Sequence, residues 1–322
     1  MKKILLVKTS SLGDVVHNLP VATDIAHRFP EARIDWVVEE AFAALPALHP
    51  AVRRVIPVAV RRWRKQVFSR GTWREVGAFR RALGLEQYDF VIDTQGLIKS
   101  ALLARCANGE RHGYDAASAR ESMAARFYDV THALLPTQHA VVRNRALVAA
   151  ALGYPIEGGA DYGIRADRVG GANKVKVDDY CVLLHATSRA DKHWSEKNWI
   201  ELGCKLVAAG LKCVLPWGNE AEMAAAKRIA AAVAGASVAP RLELNAMARL
   251  LAEGKGTVGV DTGLMHLSAA LGRPTVAIFC ASSPELTGVY GARAACNLGA
   301  LEAPPSVDEV MAALTGLWSG PA

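Results

Sequence analysis

Compact apolar runs alternate along this chain with longer stretches of helical spacing. Residues 3–8, 34–38, 55–58, 89–93, 181–185, 212–216, 257–260 and 275–279 are short hydrophobic blocks, the pattern of strands buried on both faces. Residues 97–107, 140–152, 196–209, 219–234 and 244–253 are rich in alanine and leucine at helical spacing. Strands alternating with helices predict βαβ units and parallel sheets, an α/β doubly wound fold. Right-handed crossovers then place the strand C-termini on one edge. Ligands bind along that edge in open α/β sheets.

The pattern also repeats on a larger scale. Residues 3–20, KILLVKTSSLGDVVHNLP, run from strand through polar loop into helix, and LLVKTSS at 5–11 is echoed by LLHATSR at 183–189. A chain of 322 residues exceeds the length at which one core stops growing, so the echo predicts two Rossmann-like halves facing across a cleft. Six glycines and a proline interrupt the pattern at 153–173. The expected organisation is a first domain over 1–155, a linker over 156–173 and a second domain over 174–305. After Pro304-Pro305 a final helix is expected within 306–322.

Composition adds bounds. No run reaches the about 18 apolar residues of a membrane span, and the apolar core of residues 1–8 is too short for a signal peptide. A protein that is not exported is expected. Six cysteines stand singly, with no Cys-x-x-Cys pair, which suits reduced core thiols and offers no zinc or thioredoxin-type motif. The net charge of +7 is concentrated: residues 53–81 hold ten bases against the single acid Glu75, a local +9, while the rest of the chain is −2. A local excess of that size calls for a local anionic partner. Trp63, Phe68, Trp73 and Phe79 are interleaved with these bases. Membrane surface, phosphorylated or carboxylated acceptor, and nucleic acid all suit such a segment.

The candidate chemistry lies after predicted strands. Asp14, beside Gly13, reads as a general base at a ligand-binding edge or as an acid favoured by a helix N-terminus. Asp261-Thr262-Gly263 ends a strand and opens a helix whose first N–H groups suit a phosphate, with His266 one turn on. Thr187, Ser188 and Lys192 are the residue types that hold a diphosphate, the lysine neutralising charge on a leaving group. Glu220 and Glu222 follow another strand, where an acid binds ribose hydroxyls or simply starts a helix. Gly254–Gly259 matches G-x-G-x-x-G literally but follows a helix and enters a strand, the reverse of a dinucleotide fingerprint. No Walker A sequence and no Asp-x-Asp occur. Neither metal nor cofactor is expected.

KTSSLGDVVHNLP, DWVVEE (35–40), RVIPVAVRRWRK (54–65), DTQGLIKSAL (93–102), HATSRADKHW (185–194), LPWGNEAE (215–222) and VDTGLMHLSAALGRP (260–274) together resemble the lipopolysaccharide heptosyltransferase I family. The resemblance runs in order from residue 3 to about 290 and implies a GT-B glycosyltransferase, in which the final helix, within 306–322, would pack back on the first domain. It implies transfer of L-glycero-D-manno-heptose from ADP-heptose to the inner Kdo of Kdo2–lipid A, with inversion and without metal. Asp14 would be the base and Lys192 would assist departure of ADP. Thr187, Ser188, Lys192, Glu222, Asp261, Thr262, Gly263 and His266 would form the donor site. Arg61, Arg62, Arg64, Lys65 and Arg120 would hold the acceptor at the cytoplasmic face of the inner membrane, where the protein would sit peripherally. Nucleic acid is not an expected partner. A nucleotide-sugar epimerase on the same architecture, or an anion- or nucleic-acid-binding protein, are the alternative readings.

Overall fold

A computed structural model describes residues 1–169, 179–187 and 189–319. The chain divides into two compact units, Met1–Gly163 and Ile164–Ala322. In the first, β1 (Lys3–Val7), β2 (Arg33–Glu39), β3 (Val52–Val58), β4 (Gln87–Asp93), β5 (Asn108–Tyr114) and β6 (Val130–His132) form a parallel sheet of order β3-β2-β1-β4-β5-β6. In the second, β7 (Tyr180–Leu184), β8 (Lys212–Leu215), β9 (Ala236–Val238), β10 (Gly256–Val260), β11 (Thr275–Ile278) and β12 (Ala295–Leu298) are ordered β12-β11-β10-β7-β8-β9, again parallel. Counted from its own first strand, each sheet reads 3-2-1-4-5-6, the doubly wound order with a switch point between its first and fourth strands. The expected α/β class and the repeat are borne out in the topology.

The central strands are the ones the apolar pattern located. Ile4 to Val7 and Cys181 to Leu183 are fully buried, with Leu184 nearly so, because helices cover both faces of each sheet. Four strands escaped the pattern. β6, β9 and β12 are edge strands of three or four residues with half-exposed side chains. β5, sequence NGERHGY, is polar and exposed at its start. Strands with one wet face carry no continuous apolar run, so hydrophobicity alone does not mark them.

Two connecting stretches pack onto regular structure. Part of the stretch expected as linker is packed against structure: the carbonyls of Glu157 and Gly158 accept from Arg145, and the helix Ala166–Val169 rests on Leu244–Glu253. Residues 170–173 lie outside the described residues. The final helix, Val307–Ser319, buries Val307, Val310 and Leu314 in the core of the second unit, beside Trp199, Leu206 and Val276. Its apolar side is thereby covered within that unit. The literal G-x-G-x-x-G lies where its context predicted: Leu244–Glu253 ends at Gly254, and β10 starts at Gly256.

Candidate functional site

In the first unit the switch point lies between β1 and β4, and Asp14 stands beside it. The loop leaving β1 is clamped by Gln95, from the loop leaving β4. Its Oε1 accepts the N–H groups of Thr9 (3.0 Å) and Ser10 (3.2 Å), and its Nε2 donates to the Ser10 carbonyl (2.5 Å). Gln95 and Ser10 are both buried. Ser11 then starts the helix Leu12–Val16, and Asp14 reaches back to accept the Ser11 N–H at 2.9 Å and its hydroxyl at 3.1 Å. Half of a capping box therefore fixes the carboxylate. Asp14 thus caps the helix at the strand-end edge of the sheet.

Cations surround this acid. Arg120, following β5, donates to Asp14 Oδ1 at 2.5 Å. Gly96 makes room for that chain: it takes φ +69°, and a Cβ there would stand 3.1 Å from the Tyr114 ring and 3.4 Å from the Arg120 nitrogen. Lys8 is buried beneath, donating to the Thr94 carbonyl (2.7 Å) and Asn144 Oδ1 (3.3 Å). Burial pulls the Lys8 ammonium down to about 8, with Asp14 opposing. Burial pushes the Asp14 carboxyl up, but the charges of Lys8 and Arg120 and the hydrogen bonds from Arg120 and Ser11 outweigh it. The carboxyl is held well below the usual carboxylate range. Lys99 Nζ donates to Ser10 Oγ at 3.1 Å. Sequence reasoning gave no role to Lys8, Gln95 or Lys99, although all three follow strands, the same signal that marked Asp14.

The basic segment sorts into paired and unpaired cations. Arg53 and Arg54 both bond the buried Asp35, which also accepts from Tyr88. Arg62 is held by Glu40 and Glu75, so among the expected acceptor cations it is already doubly paired. Arg61, Arg64 and Lys65 are exposed, and Arg61 lies 5.4 Å over the Phe42 ring. A shallow depression of about 300 Å³ is lined by Glu39, Glu40, Arg61, Arg62 and Lys65.

In the second unit the switch point lies between β7 and β10, and Thr187, Lys192, Asp261 and His266 meet there. Thr187 donates its hydroxyl to the Asp261 carbonyl at 3.0 Å, and Lys192 Nζ lies 2.5 Å from Asp261 Oδ2. Ser282, after β11, donates to the same oxygen at 2.8 Å, and His266 Nε2 lies 3.9 Å from Oδ1. Burial raises the Asp261 carboxyl, but His266, Lys192 and Ser282 together hold it well below the ordinary range. Ser282 went unnoticed in the sequence because nothing before it predicted a turn toward Asp261. Thr262 is the N-cap of the helix Gly263–Ala270, which has no acid in its first turn. The helix start is thus electropositive, as anion binding requires. Ser188 lies outside the described residues.

Glu222 stands apart from this cluster. Its carboxylate accepts from the Gly218 N–H and the Asn219 amide, both at 2.7 Å, at the start of the helix Glu220–Ala232. Its carbonyl accepts from His185 Nε2 at 3.1 Å, which ties it to the loop after β7. Among the described residues, no three His, Cys, Asp or Glu side chains are grouped as a metal site needs.

Two doubly wound units, each with charged and hydroxyl-bearing loops at its switch point, have the architecture of a GT-B nucleotide-sugar glycosyltransferase. Residues 76–314 match the model of glycosyltransferase family 9 (heptosyltransferase), and the chain belongs to that family. It is 49% identical over 291 residues to lipopolysaccharide heptosyltransferase 1 of Salmonella typhimurium, covering 90% of this chain and 92% of that protein. The solved structure of Escherichia coli heptosyltransferase WaaC with ADP is similar at a TM-score of 0.90 and 44% identity, over 98% of this chain and 99% of that one. The same enzyme with ADP-2-deoxy-2-fluoro heptose gives 0.86 over the same shares.

Proposed function

We propose that this protein transfers heptose from ADP-heptose to the inner Kdo of Kdo2–lipid A, with inversion, in lipopolysaccharide core synthesis. The observation that carries the reading is the carboxylate of Asp14 beside the first switch point, fixed at 2.9 Å by the Ser11 N–H and surrounded by cations. An acid so placed accepts a proton from an attacking hydroxyl, while the cations hold an anionic acceptor. Arg120 has two states in this scheme. Paired with Asp14 it keeps the carboxylate a weak base. An acceptor carboxylate or phosphate that draws Arg120 away raises the proton affinity of Asp14 as the nucleophile arrives.

The donor side follows from the second switch point. Lys192 and the N–H groups at the start of Gly263–Ala270 supply positive charge for a diphosphate, and Thr187 supplies a hydroxyl. Asp261 is acidic beside this anion site, which Lys192 compensates: the carboxylate orients the ammonium and the ammonium offsets the carboxylate. Glu222 is assigned to the ribose through its place after β8. Ser188 keeps the diphosphate role that its type and position suggest. Because base and leaving-group stabiliser belong to different units, turnover requires both to act on the substrates together.

No described helix is long and apolar enough to cross a membrane. Contact with the cytoplasmic face of the inner membrane would be peripheral, through Arg61, Arg64 and Lys65. The test is ADP release from ADP-heptose in EDTA, with and without deacylated Kdo2–lipid A, for the native protein and Asp14→Asn. Acceptor-dependent release that survives EDTA and falls at least about 100-fold in the variant is expected. Near-normal turnover by Asp14→Asn refutes the base assignment, and no release by folded protein that still binds ADP favours the epimerase class or another sugar donor.

A further inference from the structure

The four aromatics interleaved with the basic segment have two different fates. Trp63 and Phe79 meet edge-on, with ring centroids 6.1 Å apart, in the core of the first unit. Phe68 is 99% exposed, Trp73 65% and Val67 44%. These three surround the turn between the helices Val60–Lys65 and Arg70–Gly84. Trp73 Nε1 donates to the Val67 carbonyl at 2.8 Å, so the exposed indole is tied to the turn. A lone exposed apolar residue is ordinary, but a fully exposed phenylalanine beside an anchored, exposed tryptophan is a patch without a cover.

The surrounding charge points to what covers it. Arg64, Lys65, Arg70 and Arg74 are all exposed. None of them has an ion-pair partner among the described residues. The one acid of the segment, Glu75, is already taken by Arg62 and Trp63. We propose that the turn over residues 67–73 is a lipid-inserting wedge. Phe68 and Trp73 enter the interfacial layer of an anionic bilayer, and Arg64, Lys65, Arg70 and Arg74 engage its headgroups. Indole is suited to this depth, being apolar with one polar handle, and phenylalanine gains free energy only by leaving water. The cations select anionic lipid and draw the turn down, and the rings hold it once charge is screened. The purpose of the wedge rests on the membrane-embedded acceptor proposed above; its physical basis does not.

The experiment is flotation of the purified chain with vesicles of phosphatidylcholine alone, or mixed with phosphatidylglycerol, at low and high salt. Native protein is compared with Phe68→Ser and with Arg70→Gln/Arg74→Gln. Phe68 buries nothing, so its variant should keep the native thermal midpoint and circular dichroism, which serve as folding controls. Expected is binding to mixed vesicles only. Phe68→Ser should bind about tenfold more weakly at every salt concentration, and the double variant should show a shallower salt dependence. Equal binding by Phe68→Ser and native protein overturns the wedge, as does failure of the native protein to bind. Self-association of the native chain that Phe68→Ser abolishes overturns it in favour of a second copy as the cover. Acceptor-dependent ADP release on the deacylated acceptor is measured on the same preparations. Turnover without vesicle binding removes the wedge and keeps the transferase reading. Phe68-dependent binding without turnover does the reverse.

Discussion

Replacing Gln95 with leucine tests whether the clamp between the two strand-end loops governs catalysis. Leucine preserves most of the buried volume, so packing changes little, while all three hydrogen bonds to Thr9 and Ser10 disappear. Two amide N–H groups and one carbonyl are left in a buried loop. Each orphaned group costs about 1–3 kcal/mol when water does not replace its partner. Local rearrangement recovers part of this, which leaves about 3–5 kcal/mol as the expected weakening of the loop. Hydrogen exchange followed by mass spectrometry reads this locally: the peptide spanning residues 9–16 should lose protection by more than about 100-fold. The same loop carries Ser11 and through it Asp14, and a misplacement of about 1 Å costs on the order of 100-fold in rate. Gln95→Leu should therefore lower kcat by about that factor and leave the KM for ADP-heptose unchanged, since the proposed donor contacts lie in the second unit. Native exchange rates together with native kcat would refute the clamp. Loss of protection without loss of kcat would show that the loop can loosen without moving the base.

Four other variants address separate parts of the site. Lys8 is the first: its folded-state pKa is about 8 against 10.5 for the ordinary group, so the unfolded chain binds more protons between those values and stability attributable to Lys8 should rise with pH across that window. Urea unfolding from pH 7.5 to 10.5 should show this rise in the native protein and not in Lys8→Met; parallel curves would contradict the burial argument. Arg62→Ala should lower the thermal midpoint slightly by freeing Glu40 and Glu75, with little effect on acceptor KM, whereas Arg61→Ala/Arg64→Ala/Lys65→Ala should raise acceptor KM and flatten its salt dependence; the opposite ranking in steady-state kinetics would reverse the assignment of these cations. Lys192→Ala removes the partner of Asp261 and should cut kcat by about 100- to 1,000-fold, and calorimetric titration should show weaker ADP binding; unchanged ADP affinity would remove Lys192 from the diphosphate site.

Much of this protein is set by local sequence. The apolar runs that become β1, β2, β7, β10 and β11 are buried on both faces, so they are visible without any partner. The helix Ala140–Leu152 has the limits its alanine and leucine spacing predicts. The false glycine fingerprint was recognisable because helix and strand signals on either side of it are local as well. The loops bearing Asp14, Thr187 and Asp261 could be placed at strand ends for the same reason. Periodicity records which side of an element meets the core. It does not record which distant element lies opposite.

What faces what was decided by the sheets. Arg120 meets Asp14 across 106 residues of sequence, Gln95 meets Ser10 across 85, and Lys192 meets Asp261 across 69. Each pair forms because the order 3-2-1-4-5-6 brings the ends of nonconsecutive strands together at the switch point. The same order gave Arg53, Arg54 and Arg62 carboxylate partners and left Arg64, Lys65, Arg70 and Arg74 in water. It also turned Trp63 and Phe79 inward and left Phe68 and Trp73 outside. Charge and apolarity are properties of residues, and the sequence states them directly. Whether a charge is paired, or a ring covered, depends on contacts that exist only once the chain has closed on itself.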